Sequence, residues 1–366
     1  MKRSELAFTS TLALVTACTV AESPPGEHAS RATSDERTAD LTRNRVPPRY
    51  TIEELPTVVP FGTSTASKAI CAHHAVVGAA SFHSSDELHA VVLDASGVTE
   101  DLGTLGGISS VGRAGNARGE IVGAYATGFT TYAFLSRDGV MQDLGTLGGA
   151  FSDAFAINNR GQIVGQSTLI TGGDVPSHAT LWDGGDAIDL GTLGGAESFA
   201  RDINNAGDIV GTSSRADDPF RAHAAVWRDL VIEELDAAGA LHSQAVAINE
   251  AGMIAGYAVY EAGLPYHALI WRDGVMSDIG SLGSSAFALG LNDLGEVVGM
   301  SWDTSETRPH AFLYTTGTML DLEQRIDATG WMLLQATDIC NDGLIVGNGF
   351  LDGKQRGFAL RPARTP

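Results

Sequence analysis

Cysteine is nearly missing from this sequence: Cys18, Cys71 and Cys340 are the only three among 366 residues. So few exclude a disulfide-dense scaffold. Basic residues are scarce as well. Lys and Arg number 23 against 44 Asp and Glu, giving a net charge of −21 and a pI of about 4.7. That balance argues against nucleic acid or an anionic lipid surface as a partner, because either needs a basic patch. No run of about 18 apolar residues follows the N-terminus, so no conventional spanning helix is expected. No window carries a long helical period. Glycine, by contrast, is abundant at 44 residues, as many tight turns require. Hydrophobic residues make up 43% and charged residues 18%, a globular balance.

The N-terminus reads as an address. Lys2 and Arg3 precede an apolar stretch from Leu6 to Ala17, too short to cross a bilayer, and Cys18 follows. The string "LVTAC" resembles the lipobox of bacterial lipoproteins, in which the cysteine is lipidated. Ordinary cleavage after Ala17 fits the same residues, and both readings predict export. Residues 1–18 are therefore expected to be a signal peptide. Residues 19–48, rich in Pro, Ser, Thr and charge, bury too little to offset their ordering entropy and are expected to form a flexible tether.

From residue 49 to 363 the chain repeats itself. "DLGTLGG" begins at Asp101, Asp143 and Asp189. A reaction needs one constellation of residues, so a string copied this often reports a structural unit. Three landmarks recur seven times each. An "xIVG" element ends at Gly78, Gly123, Gly165, Gly211, Gly256, Gly299 and Gly347. An "HAF"-like element starts at His89, Tyr132, His178, His223, His267, His310 and Gly357. An acidic "DLG"-like element starts at Glu54, Asp101, Asp143, Asp189, Glu234, Asp278 and Asp321. Each unit holds four short apolar runs separated by Asn, Asp and Gly turns. Four strands in about 45 residues predict a propeller blade.

The order of the landmarks predicts how the ring closes. "TIEELP" stands alone before any "IVG", and the last unit stops after "GFALRP". The chain thus opens with a fourth strand and ends with three strands. If the N-terminal strand completes the last blade, the fold is an all-β, seven-bladed propeller of four-stranded antiparallel blades with no stray edges. The "DLG" strand is then outermost and "AIN" innermost. Small residues support this: Ser67, Gly112, Ala154, Ala200, Ala245, Ala288 and Ala336 share one inner position, and Ala69, Ala114, Ala156, Asp202, Ala247, Gly290 and Asp338 share another. Blades crowd near the axis, and only short side chains permit the approach.

The strings "DLGTLGG", "AINNRGQIVGQS" and "HATLW" resemble the HAF-repeat family of predicted bacterial extracellular proteins, over about Tyr50 to Arg361. Unit one, with "AHHAVVG", and unit seven, with Gly357 in place of histidine, depart most. The resemblance implies export and a repeat fold; it carries no active-site residues.

Few residues offer chemistry. The third-strand histidines sit one per blade, about 10 Å outside the innermost strand, and cannot converge on a metal. A bond to a neighbouring loop is the expected role. The "DLG" acid is expected to accept backbone N–H groups from the loop that follows it. No metal site and no cofactor are expected. Cys71 and Cys340 stand where the other units have Asn116, Asn158, Asn204, Asn249 and Asn292, in blades that ring closure makes neighbours. An exported protein would oxidise them to a disulfide across the closure. Two buried thiols, or a metal held by Cys71, His73 and His74, are the other readings. Near the axis, Lys68, Arg113 and Arg201 occupy the variable inner position, and Asp202 and Asp338 replace small residues.

Loops between second and third strands vary and are expected to expose Tyr125, Phe129, Phe220, Tyr260, Tyr266, Trp302 and Arg308 on one rim, a recognition surface. Together these features predict an exported, lipid-anchored binding or scaffolding module at the bacterial cell envelope. It would be an outer-membrane lipoprotein or an extracellular or periplasmic protein. The partner would be a protein or glycan, with membrane contact only through the lipid. The alternative is an envelope hydrolase or lyase using Asp202, Asp338 and Arg201 near the axis.

Overall fold

The computed structural model describes residues 48–55, 64–70, 75–81, 88–94, 96–170, 176–305 and 307–363, with the side chains of 64–70 and of Ser81 left aside. The expected signal segment with Cys18, the expected tether up to residue 47, Cys71, His73 and His74 lie outside the described residues.

Seven four-stranded sheets form, each antiparallel. Blade 1 comprises Ser64–Ile70, Ala75–Ser81, Leu88–Leu93 and Thr99–Gly103. Blade 2 comprises Ser109–Gly115, Ile121–Thr127, Thr130–Arg137 and Val140–Asp143. Blades 3 to 6 follow within 148–189, 194–234, 242–278 and 286–321. The only helical element among the described residues is a 3-10 turn, Glu323–Arg325, so no described helix is long and apolar enough to cross a membrane.

Blade 7 takes Trp331–Ile339, Ile345–Leu351 and Lys354–Pro362 from the C-terminus, and its fourth strand, Tyr50–Glu54, from the N-terminus. Ile52 pairs with Leu360 and Glu54 with Phe358. The Leu55 amide donates to the Gly357 carbonyl at 3.0 Å, and the Ala363 amide to the Arg49 carbonyl at 2.8 Å. Arg356 and Arg361 add ion pairs to Glu54 and Glu53. The expected closure is therefore the observed one. First strands touch one another in succession around the whole circle, including blade 7 against blade 1, and so line the axis.

The repeat landmarks follow from this crowding. Every first strand carries a β-bulge, seen as a register shift between Ala154 and Ala156 and at the equivalent place in the other blades. The bulge lets two small residues face opposite neighbours. Ala154 packs in a cluster with Ala114 and Val122 of the preceding blade. Ala156 packs with Ala200 and Ile203 of the following one. Ala154, Ala200, Ala245, Ala288 and Ala336 are fully buried. In blade 1 the register differs by one residue: Ala66, rather than the expected Ser67, lies opposite Gly78.

The second-strand glycine has its own cause. A Cβ on Gly165 or Gly211 would overlap the first-strand carbonyl of Asp153 or Phe199, which the bulge pushes towards it. In blades 2 to 6 the third-to-fourth turn places two successive residues at positive φ, as in Asp138 (51°) with Gly139 (74°), the conformation of a tight I′ hairpin. Between blades, Trp182, Trp227 and Trp271 are fully buried. The Trp227 and Trp271 indoles donate to the Leu190 and Asp236 carbonyls of the preceding crossing.

Candidate functional site

Each repeated histidine meets the acid of its own blade. His89 Nδ1 lies 3.0 Å from Asp101, His178 2.8 Å from Asp189 and His267 2.7 Å from Asp278. His223 and His310 approach Glu234 and Asp321 at 3.4 and 3.3 Å. The shared partner is thus the acid of the adjacent strand, and in blades 4 and 6 a loop acid, Asp218 or Asp303, also approaches the ring, at 3.5 and 3.7 Å. The acid itself behaves as expected: Asp101, Asp143, Asp189 and Asp278 each accept the amide of the glycine two residues on, at 2.7–2.8 Å. Where histidine is missing, another donor takes its place. The Tyr125 hydroxyl donates to Asp143 at 2.9 Å in blade 2, and Arg356 donates to Glu54 at 2.6 Å in blade 7. The histidine and Arg356 pairs fasten third strands to fourth strands, and the Tyr125 pair fastens the second strand of blade 2 to its fourth. Among the described residues no group of three His, Cys, Asp or Glu could hold a metal ion.

A second set of polar residues fastens blade to blade. Asn116 Nδ2 donates to the Asn158 carbonyl, Asn158 to Asn204, Asn204 to Asn249, Asn249 to Asn292, and Asn292 to Cys340, at 3.0–3.3 Å. The side-chain oxygen of each of these asparagines accepts two backbone amides of its own turn, as Asn158 does from Arg160 and Gln162. One residue further on, a parallel series links the Asn159 amide to Asn205 and the Asp293 amide to Asn341. The asparagine relay ends at Cys340, which is buried and disulfide-bonded. It packs with Val76 of blade 1.

The expected rim separates into three groups. Phe129 and Phe220 project into solvent. Tyr125 is buried, contrary to expectation, because it sits within the second strand and its hydroxyl substitutes for the missing histidine. Tyr260, Tyr266, Trp302 and Arg308 are half-buried. Tyr260 stands edge-on to His267, and Arg308 pairs with Glu323 at 2.9 Å. Tyr266 and Trp302 join a cluster that the repeat does not announce: ring centroids are 4.7 Å apart for Tyr266–Phe287, 5.8 Å for Phe287–Trp302 and 4.8 Å for Tyr257–Phe287.

The cluster leads inward to the axial charges. Arg113 Nη2 lies 3.0 Å from Asp153 Oδ2. Its guanidinium also approaches the Phe155 ring at 5.6 Å, and the Arg201 guanidinium approaches the same ring at 4.9 Å. Burial pushes the Arg201 pKa down, with neighbouring Arg113 adding to the effect, while Tyr257 and Asp153 oppose it. Burial pushes the Tyr257 phenol up to about 12, so it stays protonated at neutral pH. Asp202 serves elsewhere: its Oδ2 accepts the Ile248 amide of blade 5 at 3.0 Å. Asp338 is buried in blade 7 and packs closely on Gly290 of blade 6. Arg201, Asp202 and Asp338 thus face different neighbours. Lys68 lies on a strand whose side chains are left aside.

Between blades 4 and 5 an open cavity of about 430 Å³ is lined by Arg215, His223, Glu234, Asp236 and Ser243. His223 there is held between Glu234 and Asp218, the latter at 3.5 Å.

No family model and no curated protein matches the chain. Solved structures do resemble it. The β-propeller domain of the trilobed protease from Pyrococcus furiosus, described as having an open velcro topology, is 10% identical; the match covers 82% of this chain and 93% of that one, with a TM-score of 0.57. An acylaminoacyl peptidase from Pyrococcus horikoshii is 11% identical over 84% of this chain and 53% of its own, with a TM-score of 0.53. TolB from Acinetobacter baumannii is 13% identical over 85% of this chain and 66% of its own, with a TM-score of 0.43. The chain spans less than two thirds of the peptidase and TolB structures. At such identities the likeness shows the propeller fold alone.

Proposed function

We propose that this protein is an exported, lipid-anchored propeller that acts as a non-enzymatic binding or scaffolding module at the bacterial cell envelope, with its loop-rich rim as the recognition surface. One observation carries the reading. The repeated polar residues are spent on joining strands and blades, whereas four aromatic residues that vary between units pack into one band. That band runs from Trp302 and Tyr266 through Phe287 and Tyr257. Half-exposed aromatic rings on a rigid scaffold are the usual anchors of recognition sites. The resemblance to extracellular HAF-repeat proteins and the lipobox-like "LVTAC" support the location. The rival, an envelope hydrolase or lyase, relies on Asp202, Asp338 and Arg201 acting together, and these three face different neighbours.

The test is a pull-down from envelope extracts with the full chain, comparing wild type with a Tyr266→Ala, Trp302→Ala double variant of confirmed fold. Loss of specific partners from the variant is expected. Equal recovery of every partner by both proteins overturns the rim as the binding surface.

A further inference from the structure

Arg201 is an anomaly in a chain this acidic. The protein has almost twice as many carboxylates as Lys and Arg, yet no described carboxylate lies within salt-bridge distance of this half-buried guanidinium. A desolvated cation with no carboxylate in contact is costly, and Asp153 acts on Arg201 only from beyond contact distance. The rings of Phe155 and Phe199, at 4.9 and 6.0 Å, compensate only in part. Beside it, Asp153 is 6% exposed and its Oδ1 has no protein donor. Its other oxygen is taken by Arg113, whose Nε is also unpartnered. The innermost strands therefore present a cation with no carboxylate in contact and an acceptor lacking a donor, near each other and next to aromatic faces.

We propose that this inner mouth binds an acidic sugar, a uronate unit of an envelope glycan. Its carboxylate seats on Arg201, one of its ring hydroxyls donates to Asp153 Oδ1, and its C–H face lies against the aromatic side chains. The proposal rests on the binding-module reading and names its ligand class. The chemistry favours a uronate over a phosphate. A phosphate monoester brings about two negative charges and no donor, so Asp153 and the net charge of −21 would oppose it. A uronate brings one charge, a planar carboxylate that matches the guanidinium fork, and adjacent hydroxyls. A neutral sugar would leave Arg201 without an anion.

Calorimetric titration of the full chain in detergent tests this with trigalacturonate, maltotriose and inorganic phosphate. Trigalacturonate should bind, more weakly as salt is raised, and maltotriose should bind at least tenfold more weakly. Arg201→Gln should lower trigalacturonate affinity at least tenfold and Phe155→Ala several-fold, while Val275→Ala, on the exposed outer strand of blade 5, should leave it unchanged. If Arg201→Gln does not fold, Arg201→Lys keeps the charge without the planar fork and should still lose several-fold. Equal affinity for maltotriose, tighter binding of phosphate, or an Arg201 variant that folds and binds like wild type overturns the proposal. Envelope partners captured by a chain that binds no uronate would remove this inference alone. Uronate binding by a chain whose rim variant captures the same partners would instead remove the rim reading.

Discussion

Asn158 shows how much one side chain does in this ring. Its amide nitrogen donates to the carbonyl of Asn204 in the next blade, and its oxygen accepts the amides of Arg160 and Gln162 within its own turn. It is buried, so each lost partner leaves an unsatisfied group. Asn158→Ala should therefore cost about 2–4 kcal/mol, from four hydrogen bonds worth roughly 1 kcal/mol each, the fourth donated to Gln162 Oε1, and the unpaired backbone groups left behind. Denaturant unfolding measures this, and a loss below about 1 kcal/mol would show that the relay contributes little. Glu120 gives the pH counterpart. Burial alone raises its pKa, but hydrogen bonds from Asn116 and Arg137 and the charges of Arg118 and Arg137 outweigh burial and hold it below the ordinary glutamate value. A folded-state pKa below the unfolded one means stability that is complete above the unfolded value and lost as pH falls through the folded one. Glu120→Gln should be less stable than wild type by about 1–3 kcal/mol at neutral pH. The gap should close under acid conditions; a gap that stays constant with pH would refute the linkage.

At the scale of the strand, the first strand and its bulge set the sequence pattern. The glycine ending "xIVG" is the plainest consequence, since the bulged carbonyl occupies the space of its Cβ. Gly211→Ala should destabilise by more than about 2 kcal/mol, because backbone and not a flexible side chain must give way. Thermal unfolding of Gly211→Ala beside the exposed-turn variant Gly184→Ala separates crowding from turn strain, since open space surrounds Gly184. Equal losses in the two would remove the bulge as the cause. The same element explains what the sequence could and could not disclose. Small residues at Ala154 and Ala156, turn residues, and the unpaired "TIEELP" strand repeat or fail to repeat in plain view, so blade number, strand order and closure were legible. The bulge was not, because no residue type marks it; only the register of Ala154 and Ala156 against the second strand reveals it. Nor was the aromatic and arginine band. Phe155, Phe199, Arg201, Tyr257 and Phe287 stand at positions whose residue type changes from blade to blade, and only the ring brings them side by side. Tyr125 misled for a related reason: its place near a variable loop suggested exposure, while the missing histidine of its blade drew its hydroxyl inward.

Across the whole molecule, every blade must be held to the next, and the seventh must be held to the first. Asparagine does this five times, up to Cys340, where the relay reaches the join between the two ends of the chain. Cys340 is disulfide-bonded and packs against blade 1. We infer that its partner is Cys71, a covalent link where the others are hydrogen bonds. The loop such a bond closes spans most of the propeller, so the constraint on the unfolded chain is worth up to about 5 kcal/mol. Peptide mapping without reduction should recover Cys71 and Cys340 in one linked species, and reduction should lower the unfolding midpoint. Two substitutions then separate the covalent contribution from that of the position. Cys340→Ser removes the bond and supplies little in return. Cys340→Asn also removes the bond but restores the residue that the five equivalent turns use, and should recover about 1 kcal/mol through amide contacts to its own turn and to blade 1. Asparagine performing no better than serine would mean that closure here depends on the strand pairing of Tyr50–Glu54 with Lys354–Pro362 and on the covalent bond alone.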